Sequence, residues 1–216
     1  INKPNGLLSV SGKYVLDSIA SRVKAAFPKA TGPMIVHRLD RETSGCLLVA
    51  RRPSALRRLH KQLRDRDKDL QKRYLALVAG KWPRYLADIQ APLERVERGG
   101  ERFVQVSERG KPSQTKVRVL EVLNGCTLIE VEPVTGRTHQ IRAHTAYHRH
   151  AVLGDLKYQH DDEREQWKQR GVGGLCLHSR SIEFEAATGH QVTIVAPVPD
   201  PIKQMLCGAK FDPEIY

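Results

Sequence analysis

The stretch HRLDRETSG, residues 37–45, sets Asp40 between Arg38 and Arg41, just after the apolar Met34–Val36 and ahead of a Thr-Ser-Gly turn. A carboxylate flanked by two guanidinium groups is held in its charged form, which gives Asp40 the chemistry of a nucleophile. The same spacing also suits a plainer role, in which Asp40 caps the turn through the amides of Thr43 or Ser44. His37 by itself reads as a packed or surface histidine. In a second stretch, PVTGRTHQIRAH at 133–144, a strand ends at a Thr-Gly turn and an Arg/His/Gln-rich helix begins near Thr138. The free amides of that helix start and the guanidinium of Arg137 then face one space, which suits a phosphate or carboxylate, and Arg142 lies one turn further in. The alternative is a solvated basic helix start. A third stretch, QKRYLALVAG at 71–80, places Tyr74 at the entrance of a strand, where it can stack on a base and offer a hydroxyl for proton transfer, or simply sit half-buried.

The histidines His139, His144, His148 and His150 allow a rival reading, since His144 and His148 have the i, i+4 spacing of a metal pair. No HExxH motif is present, and no acidic residue lies within the cluster. The sequence therefore assigns no metal.

These residues need elements to hold them. Leu16, Ile19, Ala20, Val23 and Phe27 recur at helical spacing and predict an amphipathic helix over 14–27. Cys46–Ala50 reads as a short buried strand. RPSALRRLHKQLRDRD puts Leu56, Leu59 and Leu63 on one face of a helix and Arg57, Arg58, Lys61, Arg64 and Arg66 mostly on the other. Alternating and β-branched positions predict strands at 73–79, 101–107, 114–122, 126–133, 181–186 and 191–196, with a closing helix from Pro201. Strands interrupted by a few helices without βαβ alternation indicate an α+β fold with a mixed, largely antiparallel sheet. The polar stretches 63–73 and 159–174 are expected to be mobile insertions.

Composition restricts the partner. The 216 residues carry 36 Lys and Arg against 24 Asp and Glu, a formal charge of +12, as expected of a protein that meets a polyanion. Nucleic acid comes first and an anionic membrane second. No window approaches the roughly eighteen apolar residues of a membrane span. Four widely spaced cysteines, Cys46, Cys126, Cys176 and Cys207, fit a reducing, cytoplasmic compartment and no zinc ribbon. Arg57, Arg58, Lys61, Arg64, Arg66, Lys68 and Lys72 are candidates for a phosphate-contacting surface. The chain opens at Ile1 as if partway through a strand, so a further upstream region is expected, with residues 1–216 forming one catalytic domain.

In order, HRLDRETSG with LLVA, KRYLALV, GKPSQT, PVTGRTHQIRAH, LGDLKY and LCLHS span nearly the whole chain. Together they resemble the RluA-type pseudouridine synthases, with INKPNGLLSV matching the family's opening strand and loop. Features of both the RluC and the RluA branches are present. The resemblance implies a pseudouridine synthase catalytic domain with a central RNA-binding cleft. Its activity would be that of an isomerase that detaches uracil from ribose in RNA, rotates it and rejoins it through carbon. It makes Asp40 the catalytic aspartate, Tyr74 the active-site tyrosine and Arg142 the basic residue paired with the aspartate. Arg38 corresponds to the arginine that fills the gap left by the flipped uridine, and Leu177 to an apolar residue lining the pocket. Arg137 and His139 belong with the RNA-binding set. Ser179 stands where the family usually has alanine. The reaction so implied is redox-neutral and needs no metal or organic cofactor. Its substrate would be large-subunit (23S) ribosomal RNA first and a tRNA anticodon arm second, modified by a monomer. A non-catalytic RNA-binding protein would need no Asp40, and a two-metal nuclease would need a carboxylate cluster.

Overall fold

The protein is described here from a computed structural model, over residues 1–12, 14–30, 34–65 and 70–211. Its contacts divide it into two compact units, residues 1–72 with 179–197 and residues 73–178 with 198–216. The first unit holds β1 (Asn2–Lys3), α1 (Ile19–Ala26), β2 (Met34–Ile35), β3 (Ser44–Cys46), β4 (Val49–Ala50) and α2 (Pro53–Asp65). β5 (Leu70–Ala79) carries the chain into the second unit. There follow β6 (Asp88–Gln90), β7 (Leu93–Arg98), β8 (Glu101–Val106), β9 (Gln114–Leu123), β10 (Cys126–Pro133), α3 (Gln140–Tyr147) and α4 (Asp161–Gln169). β11 (Leu177–Glu185) leads back to the first unit, where β12 (Gln191–Val195) follows, and α5 (Asp200–Met205) belongs to the second.

The fold is mixed α and β with mostly antiparallel strands. In the second unit the strand order is β5-β10-β9-β6, and β7 and β8 form a separate hairpin. Leu75, Ala76, Leu77 and Val78 of β5 and Leu128 and Ile129 of β10 are fully buried in succession. Successive strand residues face opposite sides, so burial of all of them means that both faces of these central strands are covered, which is why their sequence is apolar without alternation. In the first unit β1 pairs with β3, β11 with β12, and β2 with β4. β3 lies beside β11, and a Cβ at Gly45 would collide with the backbone carbonyl of Ser179. With φ at +104° as well, position 45 accepts only glycine.

Several boundaries differ from the sequence reading for local reasons. The first helix starts at Ile19 rather than 14, because Ser18 and Ser21 form a reciprocal capping box, and Leu16 is left exposed outside it. The apolar run 46–50 is split in two, with Cys46 in β3 and Val49 and Ala50 in β4, which pair with different strands. α2 matches expectation: Leu59, with Leu56 and Leu63 beside it, packs against Val36 and Ala50, while Arg57, Lys61 and Arg64 are exposed. Of the other proposed surface cations, Arg66 and Lys68 lie outside the described residues. Lys72 is half-buried, and burial lowers its pKa, so it does not belong to a solvated face.

The segment expected to be mobile at 159–174 contains α4. Three acidic residues occupy its positively polarised first turn, and its one apolar anchor, Trp167, is buried. Arg170 stacks 4.1 Å over that indole and donates to the carbonyl of Asn124 at 2.7 Å. One buried aromatic generates no periodicity, which hid the helix. Within 63–73, residues 63–65 end α2 and 70–73 begin β5, and the rest of that expectation falls on residues outside the described set. Among the described residues no helix is long and apolar enough to cross a membrane.

Candidate active site

In the first unit, the Asp40 loop follows β2 with some side chains turned in and others out. Val36 and Leu39 are buried, Arg38 is exposed and Asp40 is partly exposed. His37 is turned inward, where its Nε2 accepts from the Leu48 amide at 3.2 Å. Burial, reinforced by the charge of Lys72, pushes its pKa down to about 3, so the imidazole is neutral and packed.

Residues 3–9 stitch this loop in place on both sides of Asp40. The Ser9 hydroxyl donates to the Leu39 carbonyl at 2.7 Å and accepts from the Leu39 amide at 3.0 Å. The Gly6 amide donates to the Arg41 carbonyl at 3.0 Å, and the Asn5 side chain donates to the Glu42 carbonyl at 2.6 Å. Within the turn, the Thr43 amide donates to the Asp40 main-chain carbonyl at 3.2 Å.

Lys3 is fully inaccessible to solvent, an unusual place for an ammonium group. Its Nζ spends its three N–H bonds on the carbonyls of Pro4 at 2.9 Å, Leu7 at 2.7 Å and Arg41 at 2.8 Å. Burial lowers its pKa to about 8, against the opposing pull of Glu42 and Asp40. Lys3 thus ties the opening loop to the residue after Asp40 and places positive charge within the field of both acids. Lys3→Met is expected to strand these carbonyls at about 1–3 kcal/mol each and to lower Tm by at least about 6 °C. A thermal melt within 2 °C of wild type would show that the tie is dispensable. The sequence reading missed Lys3, since a lysine beside the turn residues Pro4 and Gly6 reads as exposed.

The second unit carries Tyr74 and Arg142. Tyr74 is buried on β5, opposite Val131 of β10. Arg142, on α3, makes a bidentate ion pair with Asp155, Nε to Oδ2 at 2.7 Å and Nη2 to Oδ1 at 2.8 Å. Asp155 is fully buried, and its Oδ1 also accepts from the amides of Lys157 and Tyr158. The Tyr158 ring lies under the Arg142 guanidinium at 5.1 Å. Its hydroxyl accepts from the Val104 amide at 2.9 Å and is hydrogen-bonded to His139 Nδ1, also at 2.9 Å. Arg142 is therefore held by two residues of the LGDLKY segment, Asp155 and Tyr158, to which sequence reasoning gave no role. His139, expected to contact RNA, directs Nδ1 inward to Tyr158.

α3 starts at Gln140, two residues later than expected, because His139 adopts a left-handed conformation (φ 51°) and Gln140 locks the turn. Its Oε1 accepts from Thr135 Oγ1 at 2.7 Å and the Arg137 amide at 3.0 Å, and its Nε2 donates to the Gln114 carbonyl and Thr115 Oγ1. Thr115 in turn donates to His144 Nδ1, whose Nε2 donates to the Ala91 carbonyl. With His150 Nδ1 bonded to the Ala79 carbonyl, three of the four histidines weighed as metal ligands are committed within the protein. Arg137 is partly exposed and reaches the Pro112 carbonyl at 3.3 Å, and Leu177 is buried at the start of β11. The thiols of Cys126 and Cys176 are poor nucleophiles: burial pushes Cys126 up to about 11 and Cys176 to about 12.

Residues 1–147, the stretch that contains Asp40, Tyr74 and Arg142, match the model of the RNA pseudouridylate synthase family. The chain belongs to this family. Among similar proteins, ribosomal large subunit pseudouridine synthase C of Haemophilus ducreyi is 44% identical over 95% of this chain and 64% of its own length. The proteins of the same name from Pasteurella multocida and Escherichia coli K12 are 45% and 42% identical over 95% of the chain, and 63% and 65% of their own lengths. The chain thus spans a little under two thirds of these relatives. The fold is shared with human RNA pseudouridylate synthase domain containing 4 (TM-score 0.74, 23% identity, 96% of this chain and 87% of that one). Human RNA pseudouridylate synthase domain containing 1 is similar too (TM-score 0.73, 26% identity, 93% and 78%). Both the stitched loop around Asp40 and the clamp on Arg142 use buried polar bonds, Ser9 to Leu39 in the one and Arg142 to Asp155 in the other.

Proposed function

We propose that this chain is an isomerase that converts uridine to pseudouridine in large-subunit ribosomal RNA. The observation that carries the proposal is the partly exposed Asp40 on a loop fixed from both sides, in a family member 42–45% identical to enzymes named for that activity. In the reaction the N1–C1′ bond breaks, a C5–C1′ bond forms, the C5 proton leaves and N1 gains one, so atoms and electrons balance without an oxidant. Asp40 is the nucleophile toward the anomeric carbon or the group that assists elimination there. Tyr74 stacks on the uracil and serves the proton that must leave. Arg142 supplies fixed positive charge to the site, and Leu177 apolar lining. A uridine within a structured RNA must be extruded at a cost of roughly a few kcal/mol, and the exposed Arg38 offsets part of it by entering the vacated stack. The names of the relatives favour the C branch over the A branch. The proposal also includes a tRNA anticodon arm as second substrate and a cytoplasmic monomer as the working form.

The test is incubation with a large-subunit ribosomal RNA transcript and with tRNA, each in magnesium or in EDTA, followed by chemical mapping of pseudouridine. Conversion at one or a few uridines is expected. Conversion in tRNA alone would overturn the substrate, and magnesium-dependent cleavage without conversion would overturn the enzyme class.

A further inference from the structure

The second unit contains a cavity of about 310 Å³ that none of the catalytic assignments uses. Its walls come from the β7–β8 hairpin, the turn that follows it and the entry to α3. Leu93 and Val104 contribute apolar surface, and Arg95, Arg109, Lys111 and Arg137 contribute four cations. Glu94 also borders it, but along β7 it alternates with Leu93 and Arg95. Leu93 packs toward Ala143 of α3, and Arg95 donates to Thr138 at 2.8 Å, so the Glu94 carboxylate departs from the opposite face of the strand.

Arg95, Arg109 and Lys111 are exposed and Arg137 partly so, but hydrogen bonds fix the segments that carry them. The Thr138 bond uses one of the five N–H donors of Arg95, and the Pro112 carbonyl takes two of those of Arg137, which fixes both groups and leaves other donors. The turn carrying Arg109 and Lys111 is locked to β7 by reciprocal backbone bonds between Leu93 and Lys111, each 2.9 Å. A Cβ at Gly110 would lie 2.6 Å from the Leu93 backbone, so only glycine lets the turn come this close. Among the described residues, the Arg109 and Lys111 side chains have no hydrogen bond or ion pair. Four like charges held around one apolar-floored cavity repel one another until an anion arrives.

We propose that this cavity is a subsite for a backbone phosphate of the RNA, belonging to a nucleotide other than the uridine attacked by Asp40. The proposal rests on the RNA-modifying reading above and adds where the strand is gripped. A phosphate accepts from Arg109, Lys111 and the remaining donors of Arg95 and Arg137, while its ribose covers Leu93 and Val104. The subsite contributes affinity and register, and no sequence preference.

Two measurements on the full chain test it. In the first, uridine 5′-monophosphate and inorganic phosphate are titrated while the amide resonances of Gly110 and Gly136 are followed. Both ligands are expected to shift these signals, and Arg109→Ala/Lys111→Ala to weaken the effect at least tenfold with an unchanged Tm. In the second, affinity for the ribosomal RNA transcript is measured from about 50 to 200 mM salt, where the double variant should lower the log–log slope by about 1–2. Gly110→Ala keeps every charge but displaces the turn, and it should reproduce the weakening. Unshifted glycine signals, or a slope equal to wild type, would overturn the subsite even if pseudouridine forms normally. A lowered slope in a chain that forms no pseudouridine would keep the subsite and remove the activity assigned above.

Discussion

Asp40→Asn should abolish pseudouridine formation, with a loss on the order of 10⁴-fold or more, while the protein folds and binds RNA as before. The substitution removes the charge and nucleophilicity of the carboxylate and almost none of its volume. The main-chain bond from the Thr43 amide to the Asp40 carbonyl is kept, Leu39 stays pinned by Ser9, and the asparagine retains an acceptor oxygen. RNA affinity should hold or rise slightly, since a negative charge is removed from a surface that meets phosphates. Single-turnover rates and direct binding on the same transcript separate the two effects. A rate within tenfold of wild type would remove Asp40 from the chemistry.

Asp155→Ala is expected to destabilise the second unit strongly. The substitution leaves the Arg142 guanidinium buried without its bidentate partner and deprives the amides of Lys157 and Tyr158 of their acceptor. Breaking one side of a buried ion pair costs about 3–5 kcal/mol, which for a chain of this size is roughly 6–20 °C in Tm. Asp155→Asn keeps the shape and the acceptor oxygen but not the charge, and should fall between the two. Thermal unfolding decides it, and a Tm loss under 2 °C for the alanine variant would mean that Arg142 is held by something other than Asp155. Because Arg142 is positioned through Asp155 and Tyr158, the asparagine variant should also lose turnover out of proportion to its lost stability.

How far the sequence disclosed this arrangement depended on the range of the interactions. Strands β5 and β10 and helix α2 were legible because their burial is written locally, in runs of mostly apolar residues in the strands and a leucine face with an arginine face in α2, while β8 and β9 were read from alternating and β-branched positions. The Asp40 loop was legible as a type of chemistry, since a carboxylate between two arginines is conspicuous without any fold. Lys3 was not, because its acceptor on Arg41 is 38 residues away, and nothing near Lys3 in sequence marks it as buried. Asp155 was missed for the same reason, with Arg142 13 residues away across a loop. β6, β7 and α4 have too few buried positions to produce a period, and their placement comes from neighbours: β9 for β6, β8 for β7 and the pocket around Trp167 for α4. The four cations around the cavity beside α3 are scattered over 43 residues of sequence and meet only after the hairpin has folded.

Everything rests on transfer of the ribose carbon from N1 to C5 of a uracil, and that step must expel the hydrogen on C5. The most direct measurement is release of tritium to water from large-subunit ribosomal RNA labelled at uracil C5, followed in EDTA with wild type and Asp40→Asn in parallel. The account predicts stoichiometric release by wild type at each modified uridine and none above background by the variant. Equal release from both proteins, or none from wild type on an RNA that it demonstrably binds, would contradict it.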